Sequence, residues 1–257
     1  MDAVQPAEQA RPIALRPLTV ADPLRWLAAG WRDFTRHPGI GAFYGLCFMA
    51  MGWLLLKVFE QAPAWTLALS AGFLLMGPFV CMGLYQASRR RERGEPVDFV
   101  DSLTAWRHHG GQMAIFGFVL LVLEMLWGRA SLVIFAVSFD GMPDFKGSLL
   151  ALLNPENIEF IVAYVGVGAI FAGLIFSISV ISIPMMLDRQ VDAITAGLTS
   201  LRLVLSQPLV MLTWGALITA LIGLALLPGF FGLLVVGPVV GHASWHAYRA
   251  AVVSDAD

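Results

Sequence analysis

The sequence predicts an all-α polytopic membrane bundle. Six transmembrane helices form three parallel helical-hairpin repeats, each preceded by a cytoplasmic amphipathic helix lying in the membrane interface. Three observations predict this. Apolar runs long enough to cross a bilayer recur along the chain. Hydrophobic residues make up 58% of it and charged residues 13%, against about 45–50% and about 25% in soluble domains. Of the 16 Lys and Arg, thirteen fall in stretches 1–39, 86–111, 187–206 and 246–257. The apolar runs put those four stretches on one side of the membrane, and Lys and Arg concentrate on the cytoplasmic side.

Residues 1–20 hold Pro6, Pro12 and Pro17 and no apolar core, which reads as a disordered cytoplasmic lead-in rather than a cleavable signal peptide. Asp22-Pro23 then starts a helix, with Asp as N-cap and Pro in the first turn. Leu24, Leu27, Ala28, Trp31 and Phe34 recur on one face, with Arg25, Arg32, Asp33 and Arg36 mostly elsewhere. The first span is Ile40–Phe59, ending near Lys57 and Glu60. The second is Pro63–Ala87, closed by the run Arg89-Arg90-Arg91-Glu92-Arg93, a topology anchor first and an anionic-lipid contact second.

Residues 98–107 repeat the amphipathic design with Phe99, Val100, Leu103 and Trp106. The third span is Met113–Phe139. A loop, Asp140–Glu159, carries Asp140, Asp144, Glu156 and Glu159 against Lys146, and its middle, Phe145–Leu153, is apolar enough for the outer interface. The fourth span is the long run Ile158–Leu187, and Gly166, Gly168 and Gly173 on it allow close helix approach. Residues 191–205 give a third amphipathic helix through Val191, Ile194, Leu198, Leu201 and Leu205. The fifth span is Pro208–Leu227, and after a Pro228-Gly229 turn the sixth runs Phe230–Tyr248. Residues 21–250 form a single domain, and 251–257 a cytoplasmic tail.

The amphipathic helices resemble one another. Asp22 precedes Trp31-Arg32 and then Pro38; Asp98 precedes Trp106-Arg107 and then Met113; Asp192 precedes Leu201-Arg202 and then Pro208. A hairpin follows each time, giving repeats near 21–88, 98–187 and 191–250. Pro78, Pro184 and Pro238 fall in the return helices at uneven offsets, so the likeness is weaker there. An even number of crossings per unit makes the repeats parallel, with both termini cytoplasmic. Many secondary transporters use inverted repeats instead.

Arg16-Pro17-Leu18, Asp22-Pro23-Leu24, Gly30-Trp31-Arg32-Asp33, Gly77-Pro78 with Gly83-Leu84-Tyr85, and Arg189-Gln190-Val191-Asp192-Ala193 carry a resemblance to proteobacterial integral membrane proteins of domain-of-unknown-function family 2189. It extends over nearly all the chain after residue 15. It implies a bacterial inner-membrane protein and supplies no activity. Some relatives are likened to cytochrome c oxidase subunit I, a much larger bundle with several intramembrane histidines holding haems and copper. This chain has five histidines, none near the predicted membrane centre.

Candidate sites each have a plain counterpart. Glu124 and Arg129 are the ionisable residues deep in a predicted span, where charge is costly and points to function. Glu124 is a candidate proton or cation site; alternatively it is protonated or hydrogen-bonded between helices while Arg129 reaches the outer headgroups. His242 and His246 share a helix face near His37, His108 and His109, a spacing able to hold a metal or haem edge. No carboxylate or Cys is in register with them, so an ordinary interfacial role is the plainer reading. Cys47 and Cys81, with Met49, Met51, Met76 and Met82, offer soft ligands for Cu(I) or simple core filling. Trp31, Arg32, Trp106, Arg107 and Arg202 are the predicted interfacial anchors.

Two cysteines inside apolar runs imply no disulfide framework. Cations that hug membrane ends argue against nucleic acid as a partner. No phosphate loop, nucleophile elbow, zincin motif or catalytic carboxylate pair occurs. The expectation is therefore a non-enzymatic accessory or scaffold protein without a cofactor, contacting membrane lipids and a membrane-protein partner. A transporter built on Glu124 and the proline-bearing helices, and a respiratory accessory protein holding haem or copper, are the alternatives.

Overall fold

The computed structural model describes residues 13–61, 80–108, 110–138, 158–189 and 191–253. These are helical throughout, apart from short connections and one isolated bridge. In chain order, α1 is Asp22–Arg36 and α2 is Pro38–Gln61. Residues 80–92 form α3. Next come α4, Phe99–Thr104, continued by a 3-10 turn Ala105–His108, and α5, Gly110–Ser138. The chain continues through α6, Ile158–Ser179; α7, Ser182–Asp188; and α8, Ala193–Ser206. It closes with α9, Pro208–Leu226, and α10, Leu233–Ala251.

Among the described residues, four helices are long and apolar enough to cross a membrane: Pro38–Gln61, Gly110–Ser138, Ile158–Asp188 and Pro208–Leu226. The last three match the third, fourth and fifth spans read from the sequence, and the first matches the first. Most of the second, with Met76, Gly77 and Pro78, lies outside the described residues, as do residues 1–12, 139–157 and 254–257 and positions 109 and 190. The sixth, α10, exists as a helix but is not among the four. It is the least lipid-like of the long helices, because it carries His242, His246 and Arg249 and buries nine residues.

The fourth span is not one continuous helix. A turn at Val180–Ile181 separates α6 from α7. Pro184 lacks an amide hydrogen and its ring clashes with the carbonyl four residues back, that of Val180, so the helix restarts there. The Ser200 hydroxyl of α8 donates to the Ser177 carbonyl at 2.8 Å and occupies the break.

Helices occur at the three positions where amphipathic ones are expected, and each buries residues that the apolar pattern did not single out. On α1 the buried residues are Pro23, Trp26, Gly30 and Asp33. Leu24 and Trp31 are 60% and 50% exposed. On α4 and its turn, Ser102 is buried while Phe99, Val100, Leu103 and Trp106 are exposed. On α8, Ala193, Ala196, Thr199, Ser200 and Leu203 are buried while Ile194, Leu198 and Leu205 are exposed. Each helix turns much of its apolar stripe away from the bundle, and the docked faces mix small and polar residues with Trp26 on α1 and Leu203 on α8.

Caps explain where two of these helices begin. The Asp98 carboxylate accepts from the Asp101 amide, and Asp192 accepts from the amides of Ile194 and Thr195, both at 2.9 Å. The Thr195 hydroxyl and amide hold the Asp192 carboxyl below its ordinary value. For α1 the expected N-cap is displaced. Ala21 is the cap position and Asp22 the first helical residue. Asp22 reaches back to the Thr19 amide at 2.6 Å, a bond that lowers its pKa.

Residues 13–20, expected to be disordered, are held in place. Leu15 pairs antiparallel with Val252. The Arg16 amide donates to the Ala251 carbonyl at 2.8 Å, and the Val253 amide to the Ala14 carbonyl at 3.1 Å. The start of the expected C-terminal tail is thus one side of a short two-stranded contact.

The largest buried cluster gathers Trp26, Met82, Tyr85, Met113, Met185, Trp214, Trp245 and Tyr248. These residues lie toward the helix ends that adjoin the Arg-bearing segments. Trp26 meets Trp214 edge-on at 5.6 Å. The α5–α6 pair is joined instead by an aromatic ladder in which Tyr164 contacts Trp127, Phe135 and Phe160. Of the three glycines on α6, only Gly168 meets a neighbour, the Trp127 ring.

Candidate functional site

The most polar interior of the described residues lies where α1, α3 and α10 meet. Two glycines bring the helices together. A Cβ on Gly30 of α1 would stand 2.5 Å from the Val239 carbonyl oxygen, and one on Gly45 of α2 would run into that of Leu234. Both carbonyls belong to α10, which is therefore clasped at backbone distance from two sides. Pro238, inside α10, cannot donate to the Leu234 carbonyl, and that is the carbonyl Gly45 faces.

At this junction Asp33 is 2% exposed, Ser88 1% and His242 1%. The Ser88 hydroxyl donates to Asp33 Oδ2 at 2.6 Å. It lies 2.7 Å from His242 Nδ1. A hydroxyl has one proton to give, and the carboxylate takes it, so Nδ1 of His242 must carry a hydrogen and donate to Ser88. His246 Nε2 lies 3.0 Å from the same Asp33 oxygen. The Arg91 guanidinium pairs with the other one. The result is a relay from His242 through Ser88 to Asp33, with His246 and Arg91 converging on the same carboxylate. A buried carboxylate is tolerated only when it is paired and hydrogen-bonded in this way.

The basic run Arg89–Arg93 supplies the rest of the hub. Arg89 and Arg93 reach Asp188, at the end of α7, at 3.2 and 3.3 Å. Arg90 meets Asp101 of α4 at 2.5 Å. Glu92 accepts from Arg249 Nε and from Trp245 Nε1, each at 2.9 Å. Tyr248 donates to Asp188 at 2.9 Å. The run expected to anchor topology also ties α3 to three other parts of the chain through Asp33, Asp101 and Asp188.

The junction opens into a cleft of about 350 Å³ lined by Arg32, Asp33, Ser88, Arg91, Glu92, His246 and Arg249, with Ala29 at its edge. Arg91 is held below its ordinary value by burial and by the neighbouring charge of Arg32.

The other sequence candidates are dispersed. Glu124 is half-buried on α5 and interacts electrostatically with Tyr164 of α6. Arg129 is exposed. Trp31 packs on Phe34 at 5.8 Å, and Trp106 and Arg107 are exposed. Arg202 donates to the Ile13 carbonyl and so pins the N-terminal segment. Cys47 and Cys81 are partly buried and free. His242 and His246 do share a face, and the carboxylate their own helix lacks comes from α1, more than 200 residues away in sequence. Among the described residues no group of three or more His, Cys, Asp and Glu is arranged to hold a metal ion.

Asp33, Ser88, Arg91 and Glu92 were not singled out from the sequence as a site. The available signal was Asp33 beside Gly30: a small residue and an acid three apart, the acid on the face away from the apolar stripe.

Residues 66–188 match the family described as "Predicted integral membrane protein (DUF2189)". The match supports the family resemblance read from the sequence, over a shorter stretch than the motifs suggested, and includes Gly77-Pro78 and Gly83-Leu84-Tyr85. No curated protein and no solved structure matches the chain.

Proposed function

With residues 66–188 assigned to that family of integral membrane proteins, we propose that this chain is a non-enzymatic accessory or scaffold protein of the bacterial inner membrane. It crosses six times as three parallel hairpins with both termini cytoplasmic. Its three amphipathic helices form a girdle at the cytoplasmic lipid surface, available to lipid and to a membrane-protein partner. One observation carries this reading. The helix at 22–36, the one at 99–108 and the one at 193–206 each leave large apolar residues outside: Leu24 and Trp31, Val100 and Trp106, and Ile194, Leu198 and Leu205. A soluble surface would not favour three such stripes, whereas an interface welcomes them.

The polar junction fits a structural role. His242 Nδ1 and His246 Nε2 are spent on Ser88 and Asp33 within the junction. Glu124 sits beside the α5–α6 aromatic ladder, away from the polar cleft.

The test replaces Trp31 and Trp106 together with Glu. Both are about half exposed, so in water the change would shift stability by no more than about 0.5 kcal/mol. In the interface it buries two charges among apolar groups, and the variant is expected to lose folded yield and melt markedly lower in lipid nanodiscs. Normal insertion and an unchanged melting temperature would refute the girdle.

A further inference from the structure

The cleft between α1, α3 and α10 contains more positive charge than its own walls neutralise. Arg32, Arg91 and Arg249 line it, against the carboxylates of Asp33 and Glu92. Those two carboxylates are already engaged. Asp33 accepts from Ser88 and His246 and pairs with Arg91, and Glu92 accepts from Arg249 and Trp245. Arg32 has no carboxylate partner among the described residues. The charge of Arg32, which is exposed at the cleft, acts on Arg91, which is partly desolvated. An entering anion would meet both guanidiniums.

We propose that this cleft is a binding site for a phosphate oxyanion. Guanidinium groups arrive from three separate helices, which suits a tetrahedral group with oxygens on several sides better than a planar carboxylate. The volume of about 350 Å³ holds a phosphate together with a small substituent. Arg32 directly follows Trp31 on α1, so the mouth adjoins an exposed apolar stripe. Both a lipid headgroup and a free phosphate can therefore reach it. The site stands on the cleft and its charges, and does not require the amphipathic helices to lie in the interface.

The experiment uses the full chain in a neutral detergent. Inorganic phosphate is titrated by calorimetry at constant ionic strength, and phosphatidic acid in phosphatidylcholine nanodiscs is the second arm. The variants are Arg32→Gln, which breaks no ion pair, and Arg36→Gln, an exposed arginine one turn on that does not line the cleft. The wild type is expected to bind at least one probe saturably. Arg32→Gln should weaken that binding by about tenfold or more, as expected for the loss of one charge-assisted contact, and Arg36→Gln should leave it unchanged. Binding of both probes with mutual competition assigns the site to a headgroup; binding of phosphate alone assigns it to a soluble phosphate. No saturable binding of either probe, or equal weakening by the two variants, overturns the proposal.

Discussion

Asp33 shows how much one buried group can organise. It receives the Ser88 hydroxyl, the His246 ring and the Arg91 guanidinium at 2% exposure. The sequence pattern identified His242 and His246 as sharing a face, and that holds. It could not supply their partner, because periodicity reports neighbours within one helix and the partner comes from another. Ser88→Ala tests the relay at this scale. It removes the donor to Asp33 and the acceptor for His242 together, leaving the buried His242 Nδ1 unpaired at a cost of about 1–3 kcal/mol, while Asp33 keeps His246 and Arg91. A lower melting temperature is expected, with Ser88→Thr, which keeps the hydroxyl, recovering part of the loss. A melting temperature unchanged by Ser88→Ala would show that water replaces the hydroxyl and that the relay contributes nothing to stability.

At the scale of elements, the short helices were legible and their docking was not. Leu24, Trp31, Val100, Trp106, Ile194 and Leu198 form the stripes that locate them. Reading a stripe gives a helix and an apolar side. In a soluble protein that side is the core, but beside lipid it can face outward, and the packed side is then written in Gly, Ala and Ser. Gly30 is the case in point, since its missing Cβ lets α1 lie against the α10 backbone. Gly30→Ala would place a methyl 2.5 Å from the Val239 carbonyl oxygen and 2.7 Å from the Ala243 nitrogen. Neither backbone atom can swing aside. The helices are expected to part, and a disulfide-trapping pair spanning α1 and α10 should then cross-link more slowly than in the parent. An unaltered cross-linking rate would contradict the close approach. The break before Pro184 was likewise half legible: a proline signalled a disturbance, but not that the Ser200 hydroxyl of α8 would satisfy the Ser177 carbonyl beside it.

For the whole molecule, hydropathy gave the all-helical membrane class and the positions of four candidate spans. What it could not give was the joining of the ends. Charge counting assigns Arg89–Arg93 to a membrane side and stops there, because a positive-inside tally treats each cation as solvated. In the fold, Asp33, Asp101 and Asp188 take up these arginines and link parts of the chain that belong to different proposed repeats. The segment 13–18 is likewise tied back to Gln207, Ala251 and Val253. Both cases depend on long-range pairing, on which composition is silent.

The central claim is that three outward apolar stripes form one girdle on one side of the membrane. Spin labels on single cysteines at Leu24, Val100 and Leu198, in a background with Cys47 and Cys81 replaced, measure it directly. All three positions are exposed, so the labels leave the packing undisturbed. Depth profiling in nanodiscs, with an oxygen and a nickel relaxation agent, should place all three labels at one shallow headgroup-level depth, with a topology reporter fused to the C-terminus active in the cytoplasm. Labels in bulk water, or at depths on opposite faces of the bilayer, would contradict the account.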